Sequence, residues 1–318
     1  MQASMKRFIL ISAIVLFSLA KVFAQENSRA LIVAISDYQE ESGWKKINCS
    51  KDIELIRNTL LNNGFQESMI SVLKDSQATK ENIIKALCII EEESCPGDNV
   101  FIHFSCHGQQ ITDINGDESD GLDEALIPYD ASKNSENGYL GEDHLTDDEL
   151  NVLLSRIRKQ IGKEGLLLVL SDACHSGNNT RADEDSEELL RGTREIFIVD
   201  KVNKPKLSKI LKKNSMARGD GLITAYVHAN NRNTSDINWI PISACPPDKS
   251  NYEVVLPECR CGRLSYAFSR CFHRGITVSE LVAKLQEQYK AIPLRAYGPK
   301  PTPYADDIPE SMNGVRLF

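Results

Sequence analysis

The chain has no internal repeat, no basic stripe interleaved with aromatic residues, and no apolar run of bilayer-spanning length. The first absence excludes solenoids and propellers, which stack copies of one unit. The second argues against a nucleic-acid surface. Charge agrees: 45 acidic residues against 37 basic ones leave a net charge of −8, which repels nucleic acid and anionic lipid and favours basic ligands or peptides. The longest apolar stretch, Phe8 to Ala20, falls short of the ~20 residues a transmembrane helix needs. It follows Lys6 and Arg7 and precedes Val22, Phe23 and Ala24, which put small residues, Val22 and Ala24, at the spacing a signal peptidase reads. Residues 1–24 are therefore expected to be a cleaved secretory signal, with an uncleaved anchor as the alternative. That predicts export to a periplasm or beyond the cell and no stable membrane insertion after cleavage. Cleavage would remove three basic residues and no acid, taking the net charge to −11.

Cysteine is not scarce, but its pattern is uninformative about staples. All nine cysteines (Cys49, Cys88, Cys95, Cys106, Cys174, Cys245, Cys259, Cys261 and Cys271) lie downstream of that segment. Their spacing does not resemble a small disulfide scaffold, and a 318-residue chain can bury a core without one. An odd count in an exported monomer leaves at least one thiol unpaired, and Cys174 is the candidate. Cys259 and Cys261 could be half of a zinc site, yet no second Cys/His pair follows at zinc-finger spacing.

With 41% apolar and 26% charged residues, the chain has the composition of an ordinary globular protein. Arg29 to Ser36 reads as a buried strand. Ser50 begins an amphipathic helix carrying Ile53, Ile56, Leu60 and Leu61, which Asn62 to Gly64 end. Met69 to Leu73 is a short strand, Thr79 to Glu93 a helix, and Asn99 to Phe104 another strand. This β, α, β, α, β order predicts a mostly parallel sheet with right-handed crossovers. Leu122 to Tyr129 predicts a small strand or hairpin, and Thr146 to Lys159 a helix. Leu166 to Leu170 is continuously apolar, as a strand buried on both faces requires. Residues 178–220 have poor periodicity, high charge and scattered Arg181, Arg191, Arg194, Lys201 and Lys204. They read as a mobile or cleavable linker or as an uncut surface insertion. Strands at Leu222 to Val227 and Trp239 to Ala244 follow, then helices at Arg263 to Phe272 and Thr277 to Gln288. A Pro-rich tail occupies residues 299–318.

Polar chemistry begins where two of these apolar runs stop. Asn99 to Phe104 gives way to Ser105, Cys106, His107 and Gly108, and Leu166 to Leu170 gives way to Ser171, Asp172, Ala173, Cys174 and His175. Open α/β sheets bind ligands beyond their strand carboxyl ends. If the two strands are neighbours, His107 and Cys174 meet at one sheet edge, as a thiol nucleophile and its base must. His175 competes as base, although a neighbour in sequence generally points elsewhere. Gly108 and Gly177 would let backbone N–H groups approach a developing oxyanion.

FIHFSCHGQQ with DINGDESDGLDEALIPYD, followed by LLLVLSDACHSG, resembles the histidine and cysteine blocks of metacaspases, in particular the bacterial caspase-like (orthocaspase) branch. Weaker likeness runs from Arg29 through INCSKD, LTDDEL, ISACPPD and LSYAF. The resemblance implies an α/β caspase-hemoglobinase fold, with a mostly parallel central sheet flanked by helices on both faces. It would form one peptidase domain over residues 25–318. It also implies an endopeptidase with a His107 and Cys174 dyad and Gly108 at the oxyanion. Where caspases place Gln two residues before the nucleophile, this chain has Asp172. A carboxylate there rejects acidic side chains and attracts Arg or Lys. By motif, Asp52 and Ser105 complete the S1 pocket, the pocket for the residue before the cut bond (P1). No cofactor is required. Calcium is the candidate activator, held in the family arrangement by Asp123, Asp147 and Asp148. An EF-hand-like reading of Asp113, Asn115, Asp117 and Glu124 has Glu118 where the turn wants Gly. Arg181 stands where the family often has an acid, and Cys106 where it usually has Gly. The resulting expectation is an exported, monomeric cysteine endopeptidase acting on proteins or peptides after Arg or Lys, with self-cleavage at Arg181, Arg191, Arg194 or nearby Lys residues. The alternatives are a catalytically silent binding module and a transpeptidase.

Overall fold

The computed structural model describes residues 28–175, 190–218, 239–246, 249–257, 259–292 and 302–318. The expected signal segment, the strand at Leu222 to Val227, Gly177 and Arg181 lie outside the described residues.

Continuous apolar runs form the centre of the sheet. The strands are β1 (Ser28–Ala34), β2 (Ile70–Lys74), β3 (Asn99–Ser105), β7 (Leu166–Asp172) and β8 (Ile240–Ser243). They lie in the order β2-β1-β3-β7-β8, and every neighbouring pair is parallel. Because side chains alternate across a strand, a parallel sheet this apolar must be covered twice. Ala30, Ile32, Phe101, Leu168 and Leu170 face one layer: α1 (Ser50–Asn62), α5 (Arg263–Cys271) and α6 (Val278–Ala291). Leu31, Val33, Val100, Ile102, Leu167 and Val169 face the other, α2 (Lys80–Glu93) and α3 (Asp147–Ile161). This is the expected α/β architecture.

Local chemistry sets the helix starts. Thr79 accepts a hydrogen bond from the Asn82 N–H at the head of α2, and Thr146 and Thr277 close capping boxes with Glu149 and Glu280 on α3 and α6. Each such cap contributes about 1 kcal/mol. A smaller antiparallel sheet of β4 (Gly108–Thr112), β5 (Leu122–Leu126) and β6 (Leu145–Thr146) follows the end of β3. β9 (Val254–Val255) and β10 (Arg260–Cys261) form a separate hairpin.

The charged 190–218 segment differs from a featureless linker, because it contains the helix α4 (Lys204–Arg218). Lys204, Lys206, Lys209, Lys212 and Lys213 thin its apolar stripe and hide the period. Leu207 and Leu211 nevertheless share one face and pack with Ile111, Phe197 and Val199. Among the described residues, no helix is long and apolar enough to cross a membrane.

Candidate active site

Register brings the candidate residues together. β3 and β7 pair with Ser105 opposite Asp172, so His107 and Cys174, each two residues further on, follow neighbouring strand ends, although the Cys174 thiol and His107 Nδ1 are not hydrogen-bonded to each other. The strand ends and the start of α1 enclose Asp52, Ser105 and Asp172, all wholly buried. At their centre lies the guanidinium of the chain's own Arg191, also wholly buried. Its Nη2 is 2.8 Å from Asp52 Oδ2 and 3.1 Å from Glu253 Oε1, and its Nη1 is 3.9 Å from Asp172 Oδ1. Nη1 also donates to Ser105 Oγ at 2.7 Å, and that hydroxyl donates onward to Asp52 Oδ2 at 2.6 Å.

The pocket holds more negative than positive charge, and the acids feel it. Burial pushes the Asp52 carboxyl up to about 6; Asp172 adds to the rise, and Arg191, the Ser105 hydroxyl and the Gly262 N–H oppose it. Burial acts on Asp172 in the same sense. There Arg191, the Ser265 N–H and hydroxyl, and the Asn251 amide outweigh it, and the carboxyl titrates below its ordinary value. Asp52 and Asp172 are therefore both ionised at neutral pH. Gly262 forms the pocket wall: a Cβ there would stand 2.1 Å from Asp172 Oδ2 and 2.8 Å from Arg191 Nη1.

His107 is held on three sides. Trp44 stacks on its ring at 4.8 Å between centroids, Tyr38 accepts its backbone N–H at 3.1 Å, and Nε2 lies 2.8 Å from the Lys45 carbonyl. A carbonyl only accepts, so Nε2 carries the proton and Nδ1 holds the free lone pair. Nδ1 is buried without a partner among the described residues, and burial lowers the imidazole pKa to about 4. The ring is neutral and base-competent. Cys174 is wholly buried, and its thiol and that of Cys245 both point at the Lys249 carbonyl, at 3.5 and 3.1 Å. All nine cysteines are thiols.

The backbone around Arg191 runs beside Cys174. The Arg191 N–H donates to the Asn251 carbonyl at 3.0 Å, and its carbonyl accepts from the Cys174 N–H at 2.8 Å. Leu190 bridges Tyr252 and packs with Cys174, Cys245 and Tyr252. Gly192 bridges Cys174. The donor that meets this carbonyl is thus the N–H of Cys174, the candidate nucleophile. Gly108 lies against the same backbone, where a Cβ would fall 2.5 Å from the Cys174 carbonyl oxygen and 2.6 Å from the His175 ring.

Residues 28–182 match the family model described as metacaspase, peptidase C14 domain. Over that segment, just under half of its length, the chain is similar to metacaspases. Over 159 residues it is 32% identical to Metacaspase-1 of Eremothecium gossypii, an alignment spanning 48% of this chain and 32% of that protein. Over 158 residues it is 30% identical to Metacaspase-1A of Aspergillus niger, spanning 47% and 36% of the two. The chain thus covers about a third of the length of these curated relatives. A crystal structure of a protein from Geobacter sulfurreducens matches with a TM-score of 0.58 at 19% identity, over 91% of this chain and 97% of that one. That likeness is one of fold.

The metacaspase-like blocks point to Asp52, Ser105, His107, Asp172 and Cys174. Arg191, Asn251, Glu253 and Gly262 lie beyond the matched segment and carry no motif. Asn48 and Glu253 are likewise missed: the Asn48 N–H and side-chain amide fix the Glu253 carboxylate at 2.6 and 2.8 Å, aiming it at Arg191.

The acidic loop between β4 and β5 gathers Asp113, Asp117 and Asp123, whose ligand oxygens lie within 4.8 Å of one another. Asp147 and Asp148, at the start of α3, stand outside that group. Asp113 accepts the Gly116 and Glu118 N–H groups, and the Asn115 amide donates to Asp148. Asp123 is wholly buried, and neither of its carboxylate oxygens has a partner among the described residues. Such a carboxylate fits a cation ligand, since an uncompensated buried charge is costly.

Proposed function

We propose that the chain is an exported cysteine endopeptidase that hydrolyses peptide bonds after Arg or Lys, and that its own Arg191–Gly192 bond is its first substrate. One observation carries the reading. Arg191 sits with its side chain among Asp52, Ser105, Asp172 and Glu253 and its carbonyl on the Cys174 N–H.

In the reaction, His107 Nδ1 takes the thiol proton and the Cys174 sulfur attacks the Arg191 carbonyl carbon. The Cys174 N–H stabilises the oxyanion. As the carbonyl reforms, the C–N bond to Gly192 breaks and His107 returns the proton to the departing amine. Water, deprotonated by the same imidazole, then hydrolyses the thioester and regenerates the thiol. Emptied of Arg191, the pocket would offer its buried carboxylates to the basic side chain of a second substrate. Lys6 and Arg7 ahead of the apolar run Phe8 to Ala20 support export.

Calcium suits the acidic loop, with Asp113, Asp117 and Asp123 as ligands and Asp147 and Asp148 as nearby acids. When bound, it would supply the positive charge that these acids lack and stiffen the β4–β5 hairpin, which begins at Gly108 beside Cys174.

The test uses internally quenched peptides that differ only in the residue before a glycine, Arg, Lys or Asp, with and without calcium. An arginine chloromethylketone provides the label. The expected result is cleavage of the Arg and Lys peptides, rejection of the Asp peptide, and labelling of Cys174. A protein that is neither labelled nor active on any peptide in either condition is a binding module, and the proposal falls.

A further inference from the structure

We infer that cleavage requires glycine immediately after the cut bond. This rests on the reading of Leu190 to Gly192 as a bound substrate. It extends that reading from the basic pocket to the opposite side of the bond.

Gly192 does not adopt the left-handed backbone conformation that favours glycine, so its identity is a matter of space. An ideal Cβ at this position would stand 2.1 Å from the Cys174 carbonyl oxygen and 2.8 Å from the Gly108 carbonyl oxygen. Both obstacles are backbone, and neither can rotate away as a side chain would. They belong to the segments that leave β3 and β7, whose register is fixed by the paired strands.

The substrate strand cannot yield cheaply either. It is pinned by the Leu190 to Tyr252 bridge, by the Arg191 N–H on the Asn251 carbonyl at 3.0 Å, and by the Arg191 carbonyl on the Cys174 N–H at 2.8 Å. Making room for a methyl group needs a displacement of about 1 Å, which takes that last bond past hydrogen-bonding reach. The lost contact is the one that strengthens as the oxyanion develops, so the penalty falls on kcat more than on KM. The guanidinium pocket lies on the other side of the bond and keeps its grip on the basic side chain.

The test compares three internally quenched peptides with identical flanks, Leu-Arg-Gly, Leu-Arg-Ala and Leu-Arg-Val, on the self-processed wild-type protein. Replacing Gly by Ala is expected to lower kcat/KM about 100-fold, mainly through kcat, with a larger loss for Val. In the full chain, Gly192→Ala should slow the appearance of the break after Arg191 by a similar factor, with its melting temperature checked in parallel. Equal turnover of the Gly and Ala peptides, or a loss confined to KM, would overturn the glycine requirement while leaving cleavage after Arg intact. Failure to cut all three would remove the underlying reading and the inference with it.

Discussion

Removing Arg191 should expose how much the pocket depends on its cation. In a Cys174→Ala background, which prevents cleavage, Arg191→Ala leaves Asp52, Asp172 and Glu253 buried around an empty space. Deleting one partner of a buried ion pair costs about 3–5 kcal/mol. At roughly 2–4 °C per kcal/mol for a chain of this size, the melting temperature should fall by about 10 °C. The loss should depend on pH. In the parent, Arg191 lowers the Asp172 pKa and opposes the rise at Asp52. Without it both carboxyls move up, so the folded variant binds more protons than the unfolded chain, and its stability falls as pH rises. The gap between variant and parent should therefore narrow as the buffer is taken from about pH 8 to about pH 5. A small guanidinium ligand such as agmatine should refill the pocket and restore about 2.7 kcal/mol at 100 times its Kd. The assay is thermal melting of both proteins across pH, with and without agmatine. A variant that melts within a degree or two of its parent, indifferent to pH and agmatine, would refute the reasoning.

Three further outcomes follow from the same geometry. Peptide hydrolysis should show separate acid limbs: KM should rise first, as Asp52 protonates above the value of about 6 that it has with Arg191 in place, whereas kcat should hold until His107 protonates near pH 4, both read from full pH–rate profiles. Gly262→Ala should raise KM for Arg peptides at least ~10-fold with the fold retained, because its methyl would enter the space of Asp172 Oδ2 and the guanidinium. Lys80→Met should cost about 3–5 kcal/mol in chemical denaturation, since Lys80 Nζ lies buried 2.7 Å from Glu149 and also donates to the Glu142 and His144 carbonyls.

Much of the fold is legible because parallel strands buried on both faces leave unbroken apolar runs. Leu166 to Leu170 and Asn99 to Phe104 announce themselves, and matching positions after such runs put His107 and Cys174 just past the ends of two strands that are neighbours in the sheet. The helix α4 is hidden because two leucines, Leu207 and Leu211, supply its apolar contacts among five lysines. Asn251 and Glu253 are invisible for another reason: Asn251 acts through its carbonyl on Arg191 and its side-chain amide on Asp172, Glu253 through a carboxylate aimed by Asn48, and neither leaves a spacing to read. Lys45 contributes its backbone carbonyl to His107. Arg191 sits midway. Composition makes it one of several basic residues in a charged segment. Of Arg181, Arg191, Arg194, Lys201 and Lys204, it is the one preceded by Leu and followed by Gly, a signal that acquires meaning only once the backbone crowding at Cys174 is known.

The most direct measurement is the intact mass of purified wild-type chain followed over time beside Cys174→Ala. No disulfide joins the pieces, so a cut chain separates under denaturing conditions. The account predicts two fragments from the wild type, the second beginning at Gly192, and an uncut variant. A wild-type chain that stays whole across Arg191 and Gly192 while cleaving added peptides would contradict it, as would the same break appearing in the variant.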